Sequence, residues 1–180
     1  MSYKILLSAG LVLLSVSGLA EDHIADIQLA YSSNVSDSPY TNKNQAGGFY
    51  IDCDLMKSSD YGLMYGIGID ANTWSTPDVT GINKQGLVMY TAGGSAKIGY
   101  DMEKKMHIPV RIKVGYGYGA VSQNYHNNYG QQYEAGIEFK VFEGIAIGYK
   151  YKYAEAYMHF NKSESWNHIN SNIAYLSFPF

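Results

Sequence analysis

Charged side chains recur at alternate positions of otherwise apolar stretches, and they are the residues of this sequence best placed to do chemistry. The stretch VRIKVGYGYG, residues 110–119, shows the spacing, because Arg111 and Lys113 alternate with valine and isoleucine. The acidic members of this set are Asp26, Asp52, Asp54, Asp70, Glu134 and Glu138, and the basic members are Lys97, Arg111, Lys113, Lys140, Lys150 and Lys152. Buried charges are costly alone and tolerated when paired. The balanced set therefore predicts a network of ion pairs, in which Asp52, Asp54 and Asp70 are candidate partners of Arg111 and Lys113.

Histidine provides the alternative chemistry, general base catalysis. The segment 159–165 contains His159, followed by Ser163, Glu164 and Ser165, and His168 comes shortly after it. Nucleophilic catalysis requires a nucleophile beside a base that a third group orients. The spacing of these residues does not match such a triad. We expect loop histidines here and assign no catalytic residue.

Metal, cofactor and phosphate sites find little support in the sequence. Cys53 is the single cysteine, so neither an internal disulfide nor a multi-cysteine metal site can form. The pair Gly47-Gly48 and the GYGYG repeat lack the strand-to-helix context of a phosphate-binding loop. We expect no metal and no cofactor.

The charged residues lie in runs of period two, the pattern that predicts β-strands. Most of the runs are close to the roughly 9–11 residues that a tilted strand needs to cross a bilayer. The runs cover residues 26–31, 49–56, 61–70, 88–100, 108–119, 133–141, 145–153 and 174–180. Short connections, among them the one from Asp101 to about Met106, alternate with long ones. Outer-membrane barrels have the same alternation of short periplasmic turns and long extracellular loops.

The opposite face of every run is apolar and uncharged. Lipid contact requires such a face, because Lys or Arg at mid-bilayer costs about 2–4 kcal/mol. Aromatic residues concentrate near the ends of the runs, as interfacial girdles do. On the long-loop side they are Tyr31, Phe49, Tyr90, Tyr118, Tyr133 and Tyr153, and on the short-turn side Tyr61, Tyr100 and Phe180.

The N-terminal segment, the length and the charge of the chain indicate its processing, its number of domains and one class of partner that is excluded. Residues 1–20 combine Lys4, an apolar stretch and small residues before position 21, which predicts a cleaved signal peptide. Residues 21–180 then form one domain by length. With 13 Lys and Arg against 16 Asp and Glu, the chain is not suited to binding nucleic acid.

Together these patterns predict an all-β fold, an eight-stranded antiparallel up-and-down transmembrane β-barrel. A secreted β-sandwich is the alternative, but it would not arrange its tyrosines in two rings. The chain resembles the small eight-stranded outer-membrane barrels: the OmpA transmembrane domain, OmpX and the opacity-type porin-like proteins. The terminal AYLSFPF carries the most specific likeness, since Leu176, Phe178 and Phe180 match the signal for barrel insertion, with Pro179 as a departure.

The resemblance implies residence in the outer membrane, contact with its lipid and lipopolysaccharide, and insertion by the barrel-assembly machinery. Eight strands leave an interior just wide enough for side chains, so we expect a lumen filled by the charged network, with a narrow pore as the alternative. Trp74 and Trp166 are candidate surface contacts in extracellular loops, although they equally suit loop packing. The expected role is envelope integrity or contact with an unidentified surface ligand. A lipid A-modifying enzyme of the PagL type is a further alternative, but Asn161 stands where such enzymes have serine.

Overall fold

The chain forms a closed barrel of eight antiparallel strands in sequence order, which confirms the predicted fold class. The computed structural model describes residues 23–37, 45–76, 87–123, 126–160 and 163–179. The strands are β1 (His23–Asp37), β2 (Gln45–Ser58), β3 (Leu63–Thr76), β4 (Leu87–Asp101), β5 (Val110–Gln123), β6 (His126–Phe142), β7 (Ile145–Phe160) and β8 (Ser163–Pro179). The predicted signal peptide and Phe180 lie outside the described residues.

The strands are strongly tilted, as the register around the barrel shows. Starting at Ala25 of β1 and following directly paired positions through all the strands leads back to β1 at Val35. Closing a sheet on itself requires this kind of stagger, which tilts the strands against the barrel axis. Residues on distant strands are thereby brought to the same height in the interior.

Inward and outward residues alternate as the sequence predicts. In β2, Asp52 and Asp54 point inward and are almost fully buried, whereas Phe49 points outward and is 77% exposed. Ile67 and Ile69 of β3 likewise lie on the outer surface. An apolar outer belt is what contact with lipid chains requires.

Short connections join the strands at the end where His23 of β1 and Pro179 of β8 also lie, which the sequence predicts to be the periplasmic end. Gly62 and Gly144 have φ angles of +88° and +77°, a backbone region that glycine adopts without strain. The connection between β4 and β5 contains the single-turn helix α1 (Glu103–Met106). Within the described ranges, no helix is long and apolar enough to span a membrane.

At the opposite end, which the alternation of short and long connections predicts to be extracellular and which is called so below, the strands continue beyond the predicted runs. β5 and β6 stay paired as far as Gln123 and His126, and β7 and β8 as far as Phe160 and Ser163. The polar segments there were expected to be long loops. The structure has two-stranded ribbons in these polar segments. A ribbon exposed to water on both faces has no apolar face, so its sequence lacks the alternation of apolar and polar residues that indicates a strand.

The barrel wall opens between two of these ribbons. Among the described residues, pairing of β6 with β7 ends at Gln132 opposite Ala154. Residues 126–131 of β6 and 155–160 of β7 continue as strands beyond that point without pairing to each other. We call this feature the β6–β7 split.

Candidate functional site

The centre of the interior is organised around the ammonium group of Lys97. Its Nζ lies 2.7 Å from Asp52, 2.5 Å from Asp54 and 2.6 Å from Glu134. These carboxylates come from β2 and β6, whereas Lys97 is on β4. One buried cation thus ties three strands together.

Lys113 and Arg111 of β5 form the layer below. Lys113 Nζ lies 2.6 Å from Asp26 and 3.2 Å from Asp54, and Arg111 Nη1 lies 3.2 Å from Glu138. Sequence reasoning named Asp52, Asp54 and Asp70 as partners of these two bases. Of those three, Asp54 alone is within ion-pair distance, because tilt raises Asp52 and Asp70 above the level of Lys113.

The two lysines of β7 complete the network on its extracellular side. Lys150 contacts the carboxylates of Asp52 and Glu134, and Lys152 contacts that of Asp70. Lys150 Nζ also lies 5.2 Å from the centre of the Tyr50 ring, a cation–π distance. The predicted bases and acids of the interior are therefore brought together by the fold.

Glycine makes room for these long side chains. A Cβ atom on Gly68 would lie 2.6 Å from Lys97 Nζ, and one on Gly115 would lie 2.7 Å from a Glu134 oxygen. Any larger residue would displace the ion pairs. The glycine-rich inner face is thus a steric requirement of the network.

A neutral polar layer lies above the ion pairs. The Ser32 hydroxyl donates to Asn72 at 2.8 Å, the Asn72 amide donates to Asn34 at 2.8 Å, and the Ser171 hydroxyl donates to Asn34 at 2.6 Å. These residues connect β1, β3 and β8. Sequence reasoning missed them, since Ser and Asn are equally common in loops.

Apolar side chains close the interior at its extracellular end, and we call them the apolar cap: Ala46, Trp74, Met89, Val121, Ala154 and Ile169. Trp74 is 3% exposed, which favours packing, the alternative left open by the sequence, over a surface contact. The reason is that β3 extends to Thr76 and places Trp74 on the inner face. Trp166 lies in β8 opposite Tyr157, and its side chain lies outside the described residues.

The periplasmic end of the network is open by contrast. A cleft of about 720 Å³ is lined in part by Glu103, Arg111 and Lys140. Lys140 Nζ lies 3.1 Å from Asp101 and also contacts Glu103. Asp101, which sequence reasoning assigned to a turn, also accepts a hydrogen bond of 3.0 Å from Arg111 Nε.

The remaining predicted residues lie on the outer surface or in the ribbons. Leu176 faces outward and is 48% exposed. His168 was expected in a loop but lies in β8, where its Nδ1 is 2.5 Å from the Tyr153 hydroxyl and 4.0 Å from Glu155. His159 pairs with Glu164 across β7 and β8. Within the described residues, no group of three or more His, Cys, Asp or Glu side chains could hold a metal ion.

This architecture defines the class: the chain has the fold of small eight-stranded outer-membrane β-barrels. Among solved structures it is similar to Neisserial surface protein A, NspA, with 14% identity and a TM-score of 0.57 over 88% of this chain and 97% of that one. It is also similar to Ail of Yersinia pestis, solved with the heparin analogue sucrose octasulfate, with 11% identity and a TM-score of 0.56 over 88% and 99%.

A third similar structure is the outer-membrane enzyme PagL, with 11% identity and a TM-score of 0.53 over 86% of this chain and 99% of that one. At these identities the likeness concerns the fold alone. No protein-family model matches the sequence. No curated protein sequence matches it either.

Proposed function

We propose that the chain is a non-enzymatic outer-membrane barrel that acts through its extracellular end, in envelope integrity or in surface contact, and that its interior is closed. The outward belt of apolar side chains and the fold class both support residence in the outer membrane. Lipid and lipopolysaccharide then surround the belt, and the barrel-assembly machinery recognises Leu176, Phe178 and Phe180.

The filled interior is the observation that carries this proposal. Lys97, Lys113 and Lys150 are each within ion-pair distance of two or more carboxylates, and all three are nearly inaccessible to solvent. Above them the apolar cap has the indole N–H of Trp74 as its one N–H or O–H side-chain group, which is too little to replace the hydration shell of a passing ion. Such an interior stabilises the barrel and obstructs transport.

Recording from planar bilayers tests the closed interior. We expect the refolded chain to insert without a steady conductance, while a large porin reconstituted in the same bilayer conducts. A variant with Trp74→Ala and Met89→Ala, which opens the apolar cap, serves as a comparison. A steady conductance from the unmodified chain would replace the proposal by its alternative, a small pore, which the open periplasmic cleft favours.

Catalysis has less support. The likeness to PagL concerns the fold, and Asn161 stands where a His-x-Ser pair would need serine. His168 has the Tyr153 hydroxyl and the Glu155 carboxylate near it, and among the side chains that the structure describes it has no hydrogen bond to a serine or cysteine. We therefore propose no lipid-modifying activity.

Binding of a heparin-like polyanion is also not proposed, although the Ail structure contains such an analogue. A polyanion site requires clustered lysine or arginine. The extracellular segments of this chain contain Lys43, Lys84 and Lys162 against Asp37, Asp78, Glu155 and Glu164. Contact by neutral groups fits this composition better.

A further inference from the structure

Three side chains on the outer face of β7 and β8 converge toward the extracellular end of the barrel: Tyr153, Glu155 and His168. Glu155 and His168 are directly opposite each other in the ladder that β7 forms with β8. Tyr153 lies two residues before Glu155 and therefore points to the same face of the strand. The pairing of two regular strands thus holds the three side chains together.

The polar atoms of these side chains form a nearly right-angled triangle. The hydroxyl oxygen of Tyr153 lies 2.5 Å from His168 Nδ1 and 3.3 Å from Glu155 Oε2. His168 Nδ1 and Glu155 Oε2 are 4.0 Å apart. The right angle is at the Tyr153 oxygen, so the midpoint of the longest side is almost equally far from all three atoms.

This spacing matches the coordination of a first-row transition-metal ion. An ion at that midpoint is about 2.0 Å from His168 Nδ1 and Glu155 Oε2 and about 2.1 Å from the Tyr153 oxygen, as in the bonds of about 2.0–2.2 Å that nitrogen and oxygen ligands form with Zn²⁺. The nitrogen and the carboxylate oxygen lie on opposite sides of the ion, with the phenol oxygen at right angles to both. Nitrogen and oxygen ligands in a square plane are typical of Cu²⁺ and Ni²⁺, and Cu²⁺ forms the more stable complexes.

The three side chains are accessible from water. The side chain of His168 is 39% exposed and that of Glu155 is 24% exposed. Glu155 is also the first residue of β7 beyond the pairing with β6, at the base of the β6–β7 split. An ion can therefore enter from the extracellular side, and water can occupy the fourth corner of the plane.

We propose that Tyr153, Glu155 and His168 form a binding site for one Cu²⁺ ion on the outer surface of the barrel. Tyrosine supplies the third ligand, so the site differs from a cluster of His, Cys, Asp and Glu alone. Binding displaces the hydroxyl proton of Tyr153, which is released to solvent, and leaves the phenolate on the ion. The imidazole binds through Nδ1 in its neutral form and carries its proton on Nε2. The site depends neither on a closed interior nor on contact with a partner.

Visible absorption tests the proposal, because a tyrosine phenolate bound to Cu²⁺ gives a charge-transfer band that copper bound by histidine alone does not give. Copper sulfate is titrated into the full chain refolded in detergent, with glycine in the buffer to hold weakly bound copper. We expect a band that saturates. Tyr153→Phe should remove it, whereas Tyr133→Phe should retain it, because the Tyr133 hydroxyl donates to Gln131 at 2.7 Å. Absence of the band, or its persistence in Tyr153→Phe, would overturn the proposal.

Two further variants identify the other ligands. His168→Ala and Glu155→Gln should each weaken copper binding at least about tenfold, since even residues that only orient a metal ligand contribute about 10–100-fold. His107→Ala removes a histidine that follows α1 at the other end of the barrel, and it should leave the affinity unchanged. Heat-dependent migration on a gel shows that each variant is folded. An unchanged affinity in folded His168→Ala or Glu155→Gln, or an equal loss in His107→Ala, would contradict the site.

Discussion

The ammonium group of Lys113 lies 2.6 Å from a carboxylate oxygen of Asp26, across the interior of the barrel from β5 to β1. These strands are not neighbours in the sheet, so the ion pair joins opposite walls. Both side chains are almost inaccessible to solvent. Removing one partner of such a pair costs about 3–5 kcal/mol, because a buried charge is left uncompensated.

Lys113→Glu should therefore lower the free energy of unfolding by at least about 3 kcal/mol, since it also adds a negative charge beside Asp26 and Asp54. Urea titration of the chain refolded in lipid vesicles measures this. Lys105→Glu makes the same change in the exposed helix α1 and should stay within about 0.5 kcal/mol. Equal effects of the two substitutions would contradict a paired interior.

The pair formed by Lys152 and Asp70 permits a double-mutant test. Lys152→Met alone should lower the free energy of unfolding by about 3–5 kcal/mol, because Asp70 remains buried without its cation. Adding Asp70→Leu should recover at least about 2 kcal/mol of that loss, since an apolar pair carries no uncompensated charge. Recovery should be incomplete, because Gln132 donates a 3.1 Å hydrogen bond to Asp70. A double variant less stable than Lys152→Met would show that the pair is not an isolated unit.

Gly68→Ala tests the steric demand of the network. The new methyl group would collide with Lys97, so we expect a loss of about 1–3 kcal/mol in the free energy of unfolding. Gly94→Ala is the matched control in the adjacent strand, because a Cβ there meets nothing closer than 3.7 Å. Its effect should stay within about 0.5 kcal/mol. Similar losses for both glycines would point to backbone effects instead of crowding.

Fluorescence locates Trp74. The chain has two tryptophans, so Trp166→Phe leaves Trp74 as the sole indole. Because Trp74 is 3% exposed, its emission should lie at short wavelength and resist quenching by acrylamide added to the folded barrel. The unfolded chain in urea provides the fully quenched reference. Quenching of the folded variant to the same extent would place Trp74 outside the apolar cap.

Ile67→Arg tests the membrane-facing belt. Ile67 lies on the outer face of β3 between Tyr65 and Ile69, and an arginine near mid-bilayer costs about 2–4 kcal/mol. Thr73→Arg, on the same face toward the extracellular end of β3, should cost only about 0–1 kcal/mol. Unfolding in lipid vesicles measures both. Indifference of stability to arginine at both positions would argue against lipid contact.

Much of this fold follows from the period-two pattern alone. A strand places alternate residues on opposite faces, so runs such as 49–56 identify the buried Asp52 and Asp54 and the exposed Phe49 without further information. The pattern fails where both faces are polar, as in residues 126–131. The ribbons and the split were missed for that reason.

Which charged residues pair with each other in the interior was harder to predict from the sequence. Which acid meets Arg111 depends on strand tilt and stagger, and neither is encoded in a single run. Asp101 was assigned to a turn because it is the last residue of β4. Trp74 was assigned to a loop because its neighbours in the sequence are Asn, Ser and Thr. Residues at strand ends have few neighbours in sequence to reveal their face.

Paired positions that start at Ala25 lead around the barrel to Val35, and this stagger matters for correct assembly of the strands. A shift of one residue in the pairing of two strands moves every side chain of the shifted strand to the opposite face. Charged side chains would then face the lipid, which is unfavourable. A slip of two residues keeps every apolar side chain in lipid, so the membrane does not detect it. Such a slip moves one strand by about 7 Å against its neighbour, far enough to separate Lys113 from Asp26. The ion pairs of the interior therefore distinguish the correct register from one shifted by two residues, which contact with lipid alone does not distinguish.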